Sequence, residues 1–212
     1  LVMGDGPSVG IMNFLRHGEK SKDSGTLLTL DGQHRAEYIA TCMTSGATDA
    51  LPWGNPQVVM SSMVRVGKSS RPRDTVTPLA TKLGLQVQMP CDKQDFECFG
   101  RNALALLPAN GTMVIGWQHT EMPSLLAAVG VPDRYTNFQA WPEACPSASW
   151  PEPDYVYGSS SCYDAIWQVT FHKMNSTSAW KVVMLDSLHE GFGGAADSPC
   201  EQDFAPKATA IV

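Results

Sequence analysis

The sequence predicts an α/β protein, a three-layer sandwich with a mostly parallel central sheet flanked by helices. Three observations carry this. Short, nearly continuous apolar runs alternate along the chain with segments whose apolar residues recur at i, i+3, i+4 and i+7; such alternation of strands and helices is the pattern of parallel crossover units. The runs lack the in–out alternation of a half-exposed sheet, so they read as strands covered on both faces. The length, 212 residues, is that of one domain.

Val9 to Leu15 (VGIMNFL) is the first buried strand, and it stops at Arg16-His17-Gly18, so polar chemistry begins where the strand ends. After a Ser-, Lys- and Gly-rich loop, residues Asp31 to Ser45 place Ala36, Ile39, Ala40 and Met43 on one helical face. Gln57 to Met60 reads as a strand. The polar loop Ser61 to Ser70 leads into a helix over Arg71 to Leu83, where Val76, Leu79, Ala80 and Leu83 repeat the helical spacing before Gly84 stops it. Leu85 to Met89 reads as a strand and Phe96 to Leu107 as a helix ending before Pro108. Thr112 to Trp117 is another buried strand, which delivers Gln118-His119-Thr120-Glu121 to its end, and Met122 to Val129 is a short helix. Tyr163 to Phe171 and Trp180 to Asp186 are late strands. Between Pro132 and Ser161 no period is visible, and the stretch is too long for a plain connector. We therefore expect a single domain over 1–212 with an irregular insertion at about 132–161. Its tryptophans, Trp141 and Trp150, are expected in a small satellite core, with a lid as the alternative. The tail after Gly191 reads as loop, anchored by Cys200.

Composition removes several function classes. The net charge is −6 and the basic residues form no stripe, so no nucleic-acid partner is expected. No apolar run reaches the 18 or so residues of a membrane span, and Leu1 to Pro7 lack the pattern of a leader, so a soluble, processed chain without a membrane partner is expected. None of the six cysteines sits in a CxxC pair or at zinc-site spacing, which argues against a structural metal. Their even number, with sequons at Asn110-Gly111-Thr112 and Asn175-Ser176-Thr177, favours a secreted, disulfide-bonded glycoprotein over a cytosolic enzyme with buried thiols. Six cysteines allow 15 pairings. Sequence cannot choose among them; proximity alone makes Cys91 with Cys98 and Cys145 with Cys162 plausible, leaving Cys42 with Cys200.

The residues that carry chemistry map to strand ends on one predicted rim: Arg16-His17-Gly18-Glu19, Arg71 with Thr75 four residues later, and His119. Two imidazoles and two guanidinium groups suit phosphoryl transfer. One imidazole can attack phosphorus, the guanidinium forks bind phosphate oxygens, and the second imidazole stabilises the equatorial charge. Helix starts after His17 and at Arg71 are expected to add amide donors. Arg65 and Lys68, in the preceding loop, are either solvated charges or substrate-facing cations. His34, His172 and His189 read as surface or structural, although Asp186-Ser187-Leu188-His189 follows the last expected strand and could reach the rim.

Four blocks, in order, resemble the histidine phosphatase superfamily, also called phosphoglycerate-mutase-like: Leu15-Arg16-His17-Gly18-Glu19; Leu28 to Ala36 (LTLDGQHRA); Ser70-Arg71-Pro72-Arg73-Asp74-Thr75 with Pro78-Leu79-Ala80; and Gly116-Trp117-Gln118-His119-Thr120-Glu121. The blocks lie between Val9 and Val129 and leave the chain beyond Pro132 uncovered except for a final strand. The resemblance implies His17 as a nucleophile that becomes phosphohistidine, Arg16 and Arg71 as phosphate ligands, and His119 as the completing imidazole. Arg71 is preferred to Arg73 because the family pattern has Arg four residues before Thr. For the proton donor it implies either Glu121, as in acid-phosphatase-like members, or Glu97 or Asp95, as in mutase-like members. Glu19 is expected as support or as a surface charge. The implied activity is hydrolysis of a small phosphorylated substrate, with no metal and no cofactor, by a monomer or small homo-oligomer. The alternatives are a secreted non-catalytic binding protein on the same fold and, further off, a phosphomutase.

Overall fold

The computed structural model describes residues 6–20, 25–143, 145, 162–194, 197 and 199–200. Among these residues the chain runs β1 (Ser8–Arg16), α1 (Leu30–Cys42), β2 (Val58–Ser61), α2 (Arg71–Leu83), β3 (Val87–Gln88), α3 (Phe96–Leu106), β4 (Gly111–Trp117), α4 (Met122–Ala128), β5 (Ala165–Lys173) and β6 (Lys181–His189). The strands form one sheet in the order β3-β2-β4-β1-β5-β6. Strands β1 to β4 pair in parallel, and β5 and β6 add an antiparallel edge.

Alternation along β1 shows the two covered faces. Met12 and Phe14 point into a core shared with Phe99 and Ala103 of α3 and Leu125 and Leu126 of α4, whereas Leu15 points into a second core with Tyr38 and Ile39 of α1 and Val76 and Leu79 of α2. Both sides of the strand are buried, which is why its sequence is a nearly continuous apolar run, broken only by Asn13 between Met12 and Phe14.

Expected and observed elements differ at several ends, by two or three residues in α1, β3, β5 and β6. Helix α1 stops at Cys42 rather than Ser45, because the Thr44 hydroxyl donates to the carbonyl of Ala40 and that of Ser45 to Cys42, local bonds that compete with the helix. Strand β3 shortens to two residues. Strand β6 continues to His189, paired with Ala165, so Asp186 to His189 are strand rather than a loop beyond it.

Within the expected insertion, Trp141 is buried in the α3/α4 core, its ring 4.7 Å from that of Trp167 and its indole N–H donating to the Cys162 carbonyl at 2.7 Å. It belongs to the main core rather than to a lid or satellite; Trp150 lies outside the described residues. Cys42–Cys200, Cys91–Cys98 and Cys145–Cys162 are disulfides. No helix among the described residues is long and apolar enough to cross a membrane.

Candidate active site

Strands β1 and β4 are adjacent, parallel and in register, with Arg16 opposite Trp117. The His17 amide extends the ladder by one bond, donating to the Trp117 carbonyl at 3.1 Å. His17 and His119, 102 positions apart in the sequence, therefore leave the sheet side by side, with ring centroids 6.4 Å apart. Strand β2 ends at Ser61, opposite Gly116, so Ser62 and Met63 emerge at the same rim. These carboxyl ends open on a cleft of about 440 Å³ lined by both histidines, Lys20, Arg71 and residues of the loops after β2 and β3, where ligands of open α/β sheets bind.

The turn holding His17 is fixed from three sides. Its Nδ1 lies 2.8 Å from the Gly18 carbonyl oxygen; a carbonyl only accepts, so Nδ1 carries the hydrogen and the lone pair falls to Nε2. The Gly18 amide donates to Thr75 Oγ1 at 2.8 Å, and that hydroxyl donates to the Arg71 carbonyl at 2.8 Å. Gly18 and Gly32 pass so closely that a Cβ on Gly18 would meet the Gly32 carbonyl oxygen at 2.8 Å and one on Gly32 would meet the Glu19 carbonyl oxygen at 2.7 Å. The start of α1 is thus pressed against Gly18-Glu19. Two amides there are already used: Thr29 N–H donates to the Glu19 carbonyl and Gly32 N–H to Thr29 Oγ1. At α2, Ser70 N–H donates to Thr26, Arg71 N–H to Ser69 Oγ, and Pro72 has none. Some of the amide donors expected at the two helix starts are therefore spent on the protein itself.

Arg16 lies beneath the cleft, fully buried, with its guanidinium carbon 3.6 Å from the Tyr163 ring centroid and Nη1 donating to Cys162 O at 3.4 Å. Burial, then the charge of Arg16, holds the His17 imidazole down to about 3; burial, then Arg16 and Lys20, holds His119 down to about 4. Both rings are neutral near pH 7. The Lys20 ammonium is also lowered, by burial and then by Arg71 and Arg16.

Arg71 lines the cleft, its Nε donating to Leu27 O at 3.0 Å and Nη2 to Gly25 O. Arg73 turns instead to its neighbour Asp74 and does not line the cleft. Arg65 and Lys68 do line it, Arg65 paired with Asp92. Glu121 stands just behind the wall, Oε1 accepting from Nε2 of the cleft residue Gln94 at 3.1 Å. Glu97 is 92% exposed beside Arg101, and Asp95 caps α3 by accepting from Cys98 N–H; neither lines the cleft. His34 and His172 are half-buried and outside it.

Of the charged cluster behind the His17 turn, only Glu19 is anticipated by the sequence. Arg35, fully buried in α1, donates from Nε and Nη2 to Glu19 at 2.9 and 2.8 Å, and from Nη1 to Asp164 at 3.0 Å and to Glu190. His189 lies with Nδ1 3.6 Å from Asp164. Glu19 is therefore a support rather than a surface charge. The one available signal was Arg35 itself, an arginine directly before the apolar face of a helix.

No protein-family profile and no curated protein sequence matches the chain. Among solved structures, Mycobacterial hydrolase 1 aligns at a TM-score of 0.50 with 14% identity, over 82% of this chain and 97% of its own. The candidate phosphohistidine phosphatase SixA of Agrobacterium tumefaciens aligns at 0.44 with 14% identity, over 84% of this chain and 97% of its own. A phosphoglycerate mutase of Bacillus anthracis str. Sterne aligns at 0.42 with 8% identity, over 84% and 93%. The chain therefore shares the α/β fold of Mycobacterial hydrolase 1 over most of its length.

Proposed function

We propose that this chain is a secreted, metal-independent phosphomonoester hydrolase that acts on a small phosphorylated substrate through a phosphohistidine at His17. The observation that carries the reading is the His17 turn: Nδ1–H is committed to the Gly18 carbonyl, and the ring is held neutral beside three cationic side chains. A neutral imidazole with its lone pair on Nε2 is the nucleophilic form, and the carbonyl on Nδ1–H stabilises the positive charge that the ring gains as it attacks.

In this reading Nε2 attacks phosphorus with the phosphate held by Arg16, Arg71 and His119. The bond from phosphorus to the ester oxygen breaks, its electron pair goes to that oxygen, and Glu121 supplies the proton. Water then attacks the phosphohistidine, Glu121 takes a proton back, and inorganic phosphate leaves. Glu121 is preferred to Glu97 because Glu121 touches a cleft residue, whereas Glu97 faces solvent. Three disulfides support an extracellular location, with Asn110 and Asn175 as the glycan acceptors.

The test is para-nitrophenyl phosphate hydrolysis with and without a chelator. We expect turnover that the chelator leaves intact and that His17→Ala reduces by at least about 10³-fold. Glu121→Gln should lose far more activity on alkyl phosphates than on para-nitrophenyl phosphate, whose leaving group needs little proton help. Absence of turnover with intact phosphate binding would mean a non-catalytic binder, and loss on alkyl phosphates in Glu97→Gln rather than Glu121→Gln would reassign the acid.

A further inference from the structure

Among the described residues, five Lys and Arg side chains line this cleft, Lys20, Arg65, Lys68, Arg71 and Lys93, against one lining carboxylate, Asp92, in a molecule of net charge −6. They fall into two groups. Lys20 and Arg71 stand with the histidines. Arg65, Lys68 and Lys93 are exposed and come from two loops, one after β2 and one inside the Cys91–Cys98 disulfide. The loops are tied together: Arg65 pairs with Asp92, the Met63 amide donates to the Cys91 carbonyl at 2.7 Å, and Lys93 Nζ reaches Gln118 Oε1 at 3.2 Å. One carboxylate offsets one of these three outer cations, and the Lys68 ammonium has no acceptor among the described residues. Like charges gathered in this way repel one another, and an anion relieves the repulsion. A cleft of about 440 Å³ is also the size of an organic ligand rather than of a lone phosphate ion.

We propose that the substrate is a small molecule carrying two phosphates, one placed at His17 and the other held by Arg65, Lys68 and Lys93. This rests on the phosphomonoesterase reading and adds to it the residues that select the substrate. The loop after β2 and the disulfide-closed loop form the specificity wall, and the Arg65–Asp92 pair sets their spacing.

The experiment compares kcat/KM for a butanediol bisphosphate, with one phosphate at each end, and for the butanediol monophosphate at fixed ionic strength. The expected preference for the bisphosphate is about tenfold or more, of which twofold is the statistical advantage of two scissile groups. In Lys68→Ala/Lys93→Ala the ratio should fall to about twofold; in Arg101→Ala, which removes an exposed cation of α3 outside the cleft, it should hold. A wild-type ratio near twofold, or one that survives Lys68→Ala/Lys93→Ala, overturns the proposal. If neither compound is hydrolysed, the phosphatase reading fails by itself, and calorimetric binding of the same two compounds decides. Bisphosphate bound about tenfold more tightly, with the advantage lost in the double variant, supports the second site; equal binding overturns it.

Discussion

At the scale of single residues, the site depends on a few atoms around His17. Thr75 Oγ1 accepts the Gly18 amide and passes its own hydrogen to Arg71 O, so one hydroxyl joins the His17 turn to the helix that carries Arg71. Thr75→Val keeps the shape and removes that acceptor, leaving a buried N–H unsatisfied at a cost of about 1–3 kcal/mol. We expect a matching drop in stability to denaturant and a fall of roughly tenfold or more in kcat/KM. Unchanged kinetics would show that the turn is held without Thr75. The histidines, Arg16, Arg71 and Thr75 were all readable in the sequence because each lies in a short local motif. The glycine contact was not: Gly18 and Gly32 meet backbone to backbone across a loop, and nothing in either residue's neighbours announces it.

At the scale of elements, the Arg35 cluster ties together the end of β1, helix α1, the start of β5 and the end of β6. Asp164 and Glu190 are separated from Arg35 by 129 and 155 positions, so no local pattern links them, and a buried charge looks like a surface charge until the fold is known. Three carboxylates face one guanidinium. Burial, reinforced by the charges of Asp164 and Glu19 against the pull of Arg35, pushes Glu190 up to about 8. A raised carboxyl binds its proton more tightly in the folded chain than in the unfolded one. Its contribution is therefore complete below the ordinary value near 4.5 and is lost as pH rises toward 8. The two site histidines act with the opposite sign: held down to about 3 and 4, they contribute fully above 6.5 and lose that contribution as pH falls. Between pH 6.5 and 8 only the Glu190 slope of these three remains. Thermal stability should fall across that window in the wild type and stay flatter in Glu190→Gln, which keeps the shape without the titration. Equal slopes in both proteins would place the Glu190 proton elsewhere.

At the scale of the whole molecule, the fold was largely legible because parallel strands covered on both faces must be mostly apolar, and β1 and β4 are. Elements stabilised by few neighbours were harder to bound: β3 is a two-residue edge strand, and the far end of β6 is set by its pairing with β5 rather than by composition. The sheet order explains why the site forms at all. Placing β4 beside β1 brings His119 next to His17, and the covalent links close around the same frame, with Cys42–Cys200 binding the end of α1 to the segment beyond β6 over 158 positions. In the proposed mechanism this frame delivers a neutral His17 to phosphorus. Its most direct test is rapid quenching during turnover of para-nitrophenyl phosphate under alkaline conditions that preserve phosphohistidine, followed by peptide mass analysis. We expect a peptide containing His17 that is heavier by one phosphoryl group, with the modification on the imidazole and absent from His17→Ala. Turnover with no phosphorylated histidine at any quench time, or with the phosphoryl group on another residue, would contradict it.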